Sequence, residues 1–271
     1  MFLVLFLRKE HFLARYFVVH RAKLMAGPDR TINVLKLFTL AKPAWSVEQA
    51  AAALSVSDSS AYRYFAVLTE AGLLTPAAHG NYVLGPAVIQ YDRQIQLTDP
   101  LLRAAKPVMT RLLQFAPPHT TILLCRMFRN TVLCIHEMVA TPGTARVSYE
   151  RGRPMPLFRG ATSKIMLPYL LPRELRRIYD QDQAGAAAIG ANWADFRKAI
   201  THMRKAGYAV THGEVDPDNI GIGVAILDDR RRPVGSLSYV ISDSEEPAVV
   251  RLLPLVVGGA REVERALQAG P

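Results

Sequence analysis

The densest grouping of residues able to hold a small charged molecule is the run Arg151-Gly152-Arg153-Pro154-Met155-Pro156-Leu157-Phe158-Arg159-Gly160-Ala161-Thr162-Ser163-Lys164. A loop of glycine and small residues passes straight into a helix-forming stretch. The N–H groups near Gly160, Ala161 and Thr162 are therefore expected to point at an anion, with the positive end of the helix dipole behind them. That is chemistry for a carboxylate. Arg159 reads equally well as a surface or interface ion, and Thr162 as a helix cap.

Other groupings are weaker. His136, Glu137, His212 and Glu214 would supply metal ligands if their two strands lay together, but their spacing matches no zinc motif and ordinary polar packing is the better reading. Gly221-Ile222-Gly223 lacks the third glycine and the following helix of a dinucleotide loop, so it reads as a close-packed strand. There is no Gly-x-Ser-x-Gly elbow, and neither Cys125 nor Cys134 precedes a helix that would activate it. No catalytic constellation, cofactor or metal is expected. Arg230-Arg231-Arg232 before Pro233 reads as a solvated hairpin tip.

At 271 residues, 50% of them apolar and 21% charged, the chain suits two soluble domains, each able to bury its own core. No stretch approaches the length of apolar residues that a membrane helix needs. Two cysteines are too few for a secreted disulfide framework, and the apolar start MFLVLFL lacks a preceding basic region, so a cytoplasmic location is expected. Residues 1–26 read as an N-terminal extension, with Met25 as an alternative start. The net charge of +10 suggests nucleic acid, yet residues 27–90 balance Arg30, Lys36, Lys42 and Arg63 against Asp29, Glu48, Asp58 and Glu70. Pattern has to carry the case.

That pattern begins at Asp29. Ile32, Val34, Leu35, Leu37 and Phe38 recur at helical spacing, and Ser46 with Gln49 is a capping-box pair opening a second helix through Leu54. A turn at Ser55-Val56-Ser57 leads to a third helix, capped by Ser57 or Asp58 and running to about Ala71. Ala61, Tyr64 or Phe65, and Leu68 face its core, leaving Ser59, Ser60, Tyr62 and Arg63 outward. Small hydroxyls let backbone approach phosphates, and one arginine fork can grip a guanine edge or a phosphate. Gly72 ends the helix. Leu73-Leu74-Thr75 and Tyr82-Val83-Leu84 read as two short strands joined through Pro76–Asn81, a turn containing His79. A hairpin after such a helix is a wing, and residues 27–85 are expected to form a winged helix-turn-helix that binds double-stranded DNA.

Here the chain resembles the isocitrate lyase regulator (IclR) family of bacterial transcription factors. The resemblance rests on Arg30-Thr31, Ser59-Ser60-Ala61-Tyr62-Arg63, Glu70-Ala71-Gly72-Leu73 and Tyr82-Val83-Leu84-Gly85, and it extends from about residue 29 to 268. It departs at Asp58, a position often lysine in that family. The resemblance implies DNA contacts from Arg30, Thr31, Ser57, Ser59, Ser60, Tyr62, Arg63 and the wing residues His79 and Asn81.

Residues 86–98 read as a linker helix and residues 99–271 as a second domain. Asp99-Pro100 caps a helix whose apolar stripe runs from Leu101 to Leu113, for a partner chain or for its own domain. Strands follow at 120–127, 131–138 and 146–149, with Cys125 facing Cys134 across the first pair. Helices are expected at 162–171, 173–180 and 193–206, strands at 208–211, 221–227 and 234–240, and a closing helix from 246 to 267. Antiparallel strands backed by helices make an α+β chain, and the resemblance implies a GAF-like effector-binding domain.

The family's effector segment matches at Pro156, Leu157 and Lys164, while its usual histidine is Phe158 and its usual glycine before lysine is Ser163. Phe158 and Arg159 then suggest a wider, more aromatic pocket. The resemblance places Thr211, Gly221, Ser238 and Val240 on the other wall. Gly221 and Val240 imply room and few hydrogen bonds, hence a larger small organic acid, aromatic or hydroxylated. The expected protein is a homodimeric or tetrameric DNA-binding regulator controlled by such an effector. The alternative is a small-acid enzyme of GAF-like fold whose first helices only mediate oligomerisation.

Overall fold

A computed structural model describes residues 29–141 and 147–270. The extension expected over residues 1–26 lies outside the described residues. The chain divides into two compact units between Leu97 and Thr98.

In the first unit, α1 (Asp29–Leu35), α2 (Val47–Leu54) and α3 (Asp58–Glu70) bury Val34, Val47, Ala50, Leu54, Ala61, Phe65 and Leu68 against one another. The caps are local and legible. Ser46 Oγ accepts from Gln49 N at 3.3 Å, and Ser57 Oγ accepts from Ser60 N at 3.3 Å, each satisfying a helix-end donor. Ser55, in the left-handed region at φ 53°, ends α2 and sets the tight turn into α3. The wing is β2 (Leu74–Pro76) paired antiparallel with β3 (Asn81–Leu84). A third strand, β1 (Trp45–Ser46), pairs with Tyr82 and Asn81 on the other side of β3. The sequence reading took Ser46 only as a cap and missed this strand, because two residues carry no periodicity.

Helix α4 (Ala87–Thr98) leaves Val88, Ile89, Tyr91, Ile95 and Leu97 exposed.

The second unit is built on a six-stranded antiparallel sheet. Its strands are β4 (Thr121–Phe128), β5 (Thr131–Val139), β6 (Pro154–Pro156), β7 (Ala209–His212), β8 (Asn219–Leu227) and β9 (Pro233–Ser242), in the order β6-β5-β4-β9-β8-β7. The strand expected at 146–149 is not formed: residues 147–150 are irregular, Arg146 lies outside the described residues, and the third strand of the meander is β6 instead. Ser148 explains the difference, since its N–H and hydroxyl both donate to buried Asp216, at 2.8 and 2.6 Å, rather than to a neighbouring strand.

Alternation fixes which side chains go where. Ile122 and Leu124 of β4, Ile220, Ile222, Val224 and Ile226 of β8, and Leu237, Tyr239 and Ile241 of β9 face α5 (Pro100–Leu113) and α10 (Val249–Ala269). The apolar stripe of α5 is spent here: Leu101, Leu102, Ala105, Val108, Met109 and Leu112 are all buried in its own domain. Each of the larger side chains, Ala105 aside, contributes about 1.5–3 kcal/mol. Asp99 caps α5 by accepting from Leu101 N at 2.8 Å and is clamped by Arg126, whose two terminal nitrogens reach it at 2.8 and 3.1 Å.

The opposite face carries α6 (Ala161–Lys164), α7 (Pro172–Gln181), α8 (Gln183–Ala186) and α9 (Trp193–Ala206). Among the described residues no helix is long and apolar enough to cross a membrane.

Candidate functional site

The first candidate surface is the outward face of α3. Ala61, Phe65 and Leu68 bury the inner face, and Tyr62, Arg63 and Ser59 are exposed. Ser57, Ser59 and Ser60 converge at its N-terminus: the Ser57 hydroxyl lies 3.2 Å from that of Ser59 and donates to that of Ser60 at 3.0 Å. Tyr62 Oη donates to Glu48 Oε1 of α2 at 2.7 Å. This bond holds the Glu48 carboxyl below its usual range and pushes the Tyr62 phenol above its own. Glu48 was not among the residues expected at this surface. Its position on α2 shows no periodic sign of the contact.

Arg30 and Thr31 lie on α1, which packs against α3. His79 lies in the wing turn with a left-handed φ of 58°, and Asn81 opens β3 beside it, its Nδ2 donating to Ala78 O at 3.3 Å. Hydroxyls at a helix start, an arginine fork beside them and a wing tip are groups that can meet phosphates and base edges together.

The second candidate site lies on the sheet face opposite α5. Ladder register places Thr211 of β7, Gly221 of β8, Val240 of β9 and Thr121 of β4 in one row across four strands. Ser238 sits in the next row, between Leu123 and Gly223. The sequence-predicted wall residues are thus together. Thr121 is an unforeseen member of the row. The hydroxyls of Thr121 and Ser238 are both buried without a hydrogen-bond partner.

The loop expected to offer free N–H groups is already engaged. Gly160 N donates to Glu214 Oε2 at 2.9 Å, and Ala161 N donates to Thr211 Oγ1 at 3.0 Å. Lys164 Nζ donates to the other oxygen, Glu214 Oε1, at 2.6 Å. A carboxylate does meet the first of these amides, that of Gly160, and it belongs to the chain's own Glu214. Helix α6 is a single turn, followed by a 3-10 turn at Leu167–Tyr169, so the longer helix expected over 162–171 is not formed. Gly160 itself is required: its φ is 76°, and a Cβ would stand 2.9 Å from Val215 Cγ2 and 3.0 Å from Tyr149 Oη. That phenol spans the loop, donating to Arg159 O at 3.1 Å and accepting from the Ser163 hydroxyl at 2.7 Å, and burial raises its pKa.

Two expectations about space are corrected. Gly221 adds no room, because a Cβ there would meet Thr211 Oγ1 at 3.2 Å and Ala161 Cβ at 3.4 Å; at Gly223 it would lie 2.8 Å from the Ala161 carbonyl. These glycines let α6 lie down on the sheet, pinned by Ser236 Oγ donating to Thr162 O at 2.8 Å. Phe158 does not widen a pocket either. It is fully buried, edge-on to Phe196 at 5.8 Å, in a cluster with Tyr179 and Trp193. Arg159 is half-buried.

A groove of about 1130 Å³ is open between α9 and β7, lined by Lys164, Thr211 and Glu214 together with Trp193, Met203 and Val210. The four possible metal ligands are dispersed: β4, β9 and β8 separate His136 and Glu137 from His212. Among the described residues no cluster of three or more such groups occurs. Cys125 and Cys134 do oppose each other across β4 and β5, both buried and free, with the Cys125 thiol pushed up by burial. Asp228 accepts from the N–H groups of Arg230 and Arg232 and pairs with the Arg232 side chain, which organises the hairpin tip.

Two family models match the chain: the IclR helix-turn-helix domain over residues 27–77, and the bacterial transcriptional regulator IclR C-terminal domain over residues 96–256. A curated relative, the HTH-type transcriptional regulator KipR of Bacillus subtilis (strain 168), is 25% identical over 213 residues, covering 77% of this chain and 83% of that protein. Among solved structures, an IclR homolog from Microbacterium hydrocarbonoxydans complexed with 4-hydroxybenzoate matches with a TM-score of 0.70 at 18% identity, over 89% of this chain and 98% of that one. A regulator from Alicyclobacillus acidocaldarius matches with a TM-score of 0.71 at 20% identity, over 88% and 96%.

Proposed function

The chain belongs to the IclR family of bacterial transcriptional regulators, and on that premise we propose that α3 enters the DNA major groove, with Tyr62 and Arg63 reading bases and Ser57, Ser59, Ser60, Arg30 and Thr31 holding phosphates. The observation that carries this reading is the capped, outward N-terminal half of α3, directly followed by a paired wing bearing His79 and Asn81. Affinity from one such winged domain is modest, since the formal charges of residues 27–90 balance. A homodimer or tetramer engaging two half-sites raises it, and the exposed apolar residues of α4 are suited to joining the copies.

The second unit is the sensor. Its ligand is a small organic acid with an aromatic or hydroxylated body, held near Gly160–Lys164, Thr211 and Ser238. Support for the size comes from the groove between α9 and β7 and its mixed apolar and basic lining. The 4-hydroxybenzoate bound by the Microbacterium hydrocarbonoxydans homolog supports the class. Binding shifts the population of arrangements in which the recognition helices fit the operator.

A mobility-shift assay on DNA upstream of the gene and its neighbours, repeated with benzoates and short keto acids, tests both halves. A specific, salt-dependent complex altered by a benzoate is expected. Loss of any specific complex would overturn the DNA reading. Tight calorimetric binding of only glyoxylate- or pyruvate-sized acids would overturn the effector reading.

A further inference from the structure

We infer that Glu214 is a built-in stand-in for the ligand's carboxylate, and that an acid binds by displacing it from Lys164 and the Gly160 amide through the α9–β7 groove. The inference rests on the effector reading above and specifies its chemistry.

Three observations carry it. First, the Glu214 carboxylate uses both oxygens, one on a backbone N–H at 2.9 Å and one on an ammonium at 2.6 Å. An amide and a cation converging on two oxygens of one carboxylate is how a protein grips an organic acid. Second, the two sides of the pair differ in exposure: the Lys164 side chain is 9% exposed and that of Glu214 31%. The lysine is fixed beneath the sheet-packed loop, whereas the glutamate comes from the segment after β7 and has solvent on one side. Removing Glu214 without replacement would leave a nearly buried ammonium unpaired, which is costly, so the site demands a carboxylate at all times. Third, Glu214 and Lys164 line the groove together with apolar Trp193, Met203 and Val210, and Arg197, Lys198, His202 and Lys205 line it against only one further acid, Asp195. The apolar surface suits a ring, and the basic residues favour approach by an anion.

On the same sheet face, beneath the Ala161–Thr162 segment, Ser238 holds a buried hydroxyl with no partner, beside Gly223. Exchange of carboxylates explains how binding reaches the fold. Gly160 N is fixed by the segment after β7, so swapping its acceptor frees that segment from the loop leading into α6.

The test is calorimetric titration of benzoate and 4-hydroxybenzoate into the full chain and two variants. Glu214→Gln keeps an acceptor for Gly160 N but leaves Lys164 unneutralised, and acid affinity should rise roughly tenfold or more. The double variant Lys164→Met/Glu214→Gln removes both charges, so it strands neither, and it should lose that gain. Equal affinity in wild type and Glu214→Gln, or a double variant that keeps the gain, overturns the displacement while leaving an acid-controlled regulator intact. Acid binding in none of the three proteins overturns both. Should either variant fail to unfold cooperatively, the Gly160 amide resonance of wild-type protein decides: it should shift strongly on saturation with 4-hydroxybenzoate, and a bound acid that leaves it unmoved overturns the inference.

Discussion

The phenol of Tyr62 on α3 donates to the Glu48 carboxylate on the preceding helix, at 2.7 Å, between two exposed side chains. Helix α2 thereby sets the direction of a side chain on α3 that is proposed to read a base. Tyr62→Phe and Glu48→Ala should each weaken operator binding, and the double variant should be little worse than the more damaging single one. Fluorescence anisotropy over a salt series checks this; additive losses would mean that Glu48 acts independently of Tyr62.

Arg63 is proposed to play a different part, as a fork for a guanine edge. Arg63→Ala should lower operator affinity roughly 5- to 100-fold and relax preference at one base pair, whereas Ser59→Ala should weaken all sequences alike. Competition binding against single-base operator variants separates the two. Unchanged preference in Arg63→Ala would remove it from base reading.

The approach of α6 to the sheet makes Gly223 intolerant of a side chain. Gly223→Ala puts a Cβ at 2.8 Å from the Ala161 carbonyl and should cost about 1–3 kcal/mol, more than Gly221→Ala, where the nearest atom is 3.2 Å away. Urea unfolding measures the difference.

Thr121 and Ser238 offer the reverse outcome. Each buries an unpartnered hydroxyl, so Thr121→Val should be neutral or stabilising, by up to about 1 kcal/mol. A fall in acid affinity alongside that gain would identify the hydroxyl as a ligand partner, and calorimetry with thermal unfolding reads both quantities.

His136 provides a pH signature. Burial, with Lys106 and Arg151 near it, holds its pKa below the ordinary 6.5. The unfolded chain then binds more protons than the folded one just below pH 6.5, so stability should decline as pH falls through that window. In His136→Gln this decline should be shallower; identical pH profiles of the unfolding midpoint would exclude the contribution.

Local signals were legible in the sequence and long-range ones were not. Ser46, Ser57 and Asp99 announce helix starts because a cap needs only its next three residues. The row Thr211–Gly221–Val240 was also anticipated, from a family resemblance and not from spacing. The partners of those residues depend on loops meeting across the fold: Glu214 reaches Gly160 over 54 positions, and Asp216 reaches Ser148 over 68. The stripe on α5 was ambiguous for the same reason. A helix face records that it is covered, not by what, and here the cover is the domain's own sheet.

Strand β6 forms one margin of the six-stranded sheet, and two of its three residues are Pro154 and Pro156. Alternate residues of a strand turn their N–H groups the same way, so the two prolines strip one side of β6 of donors while Met155 stays opposite Val132. A stray strand from another molecule finds carbonyl acceptors there but no donors, so it cannot complete a ladder. Copies of this domain can therefore be crowded together with that margin protected against runaway sheet growth.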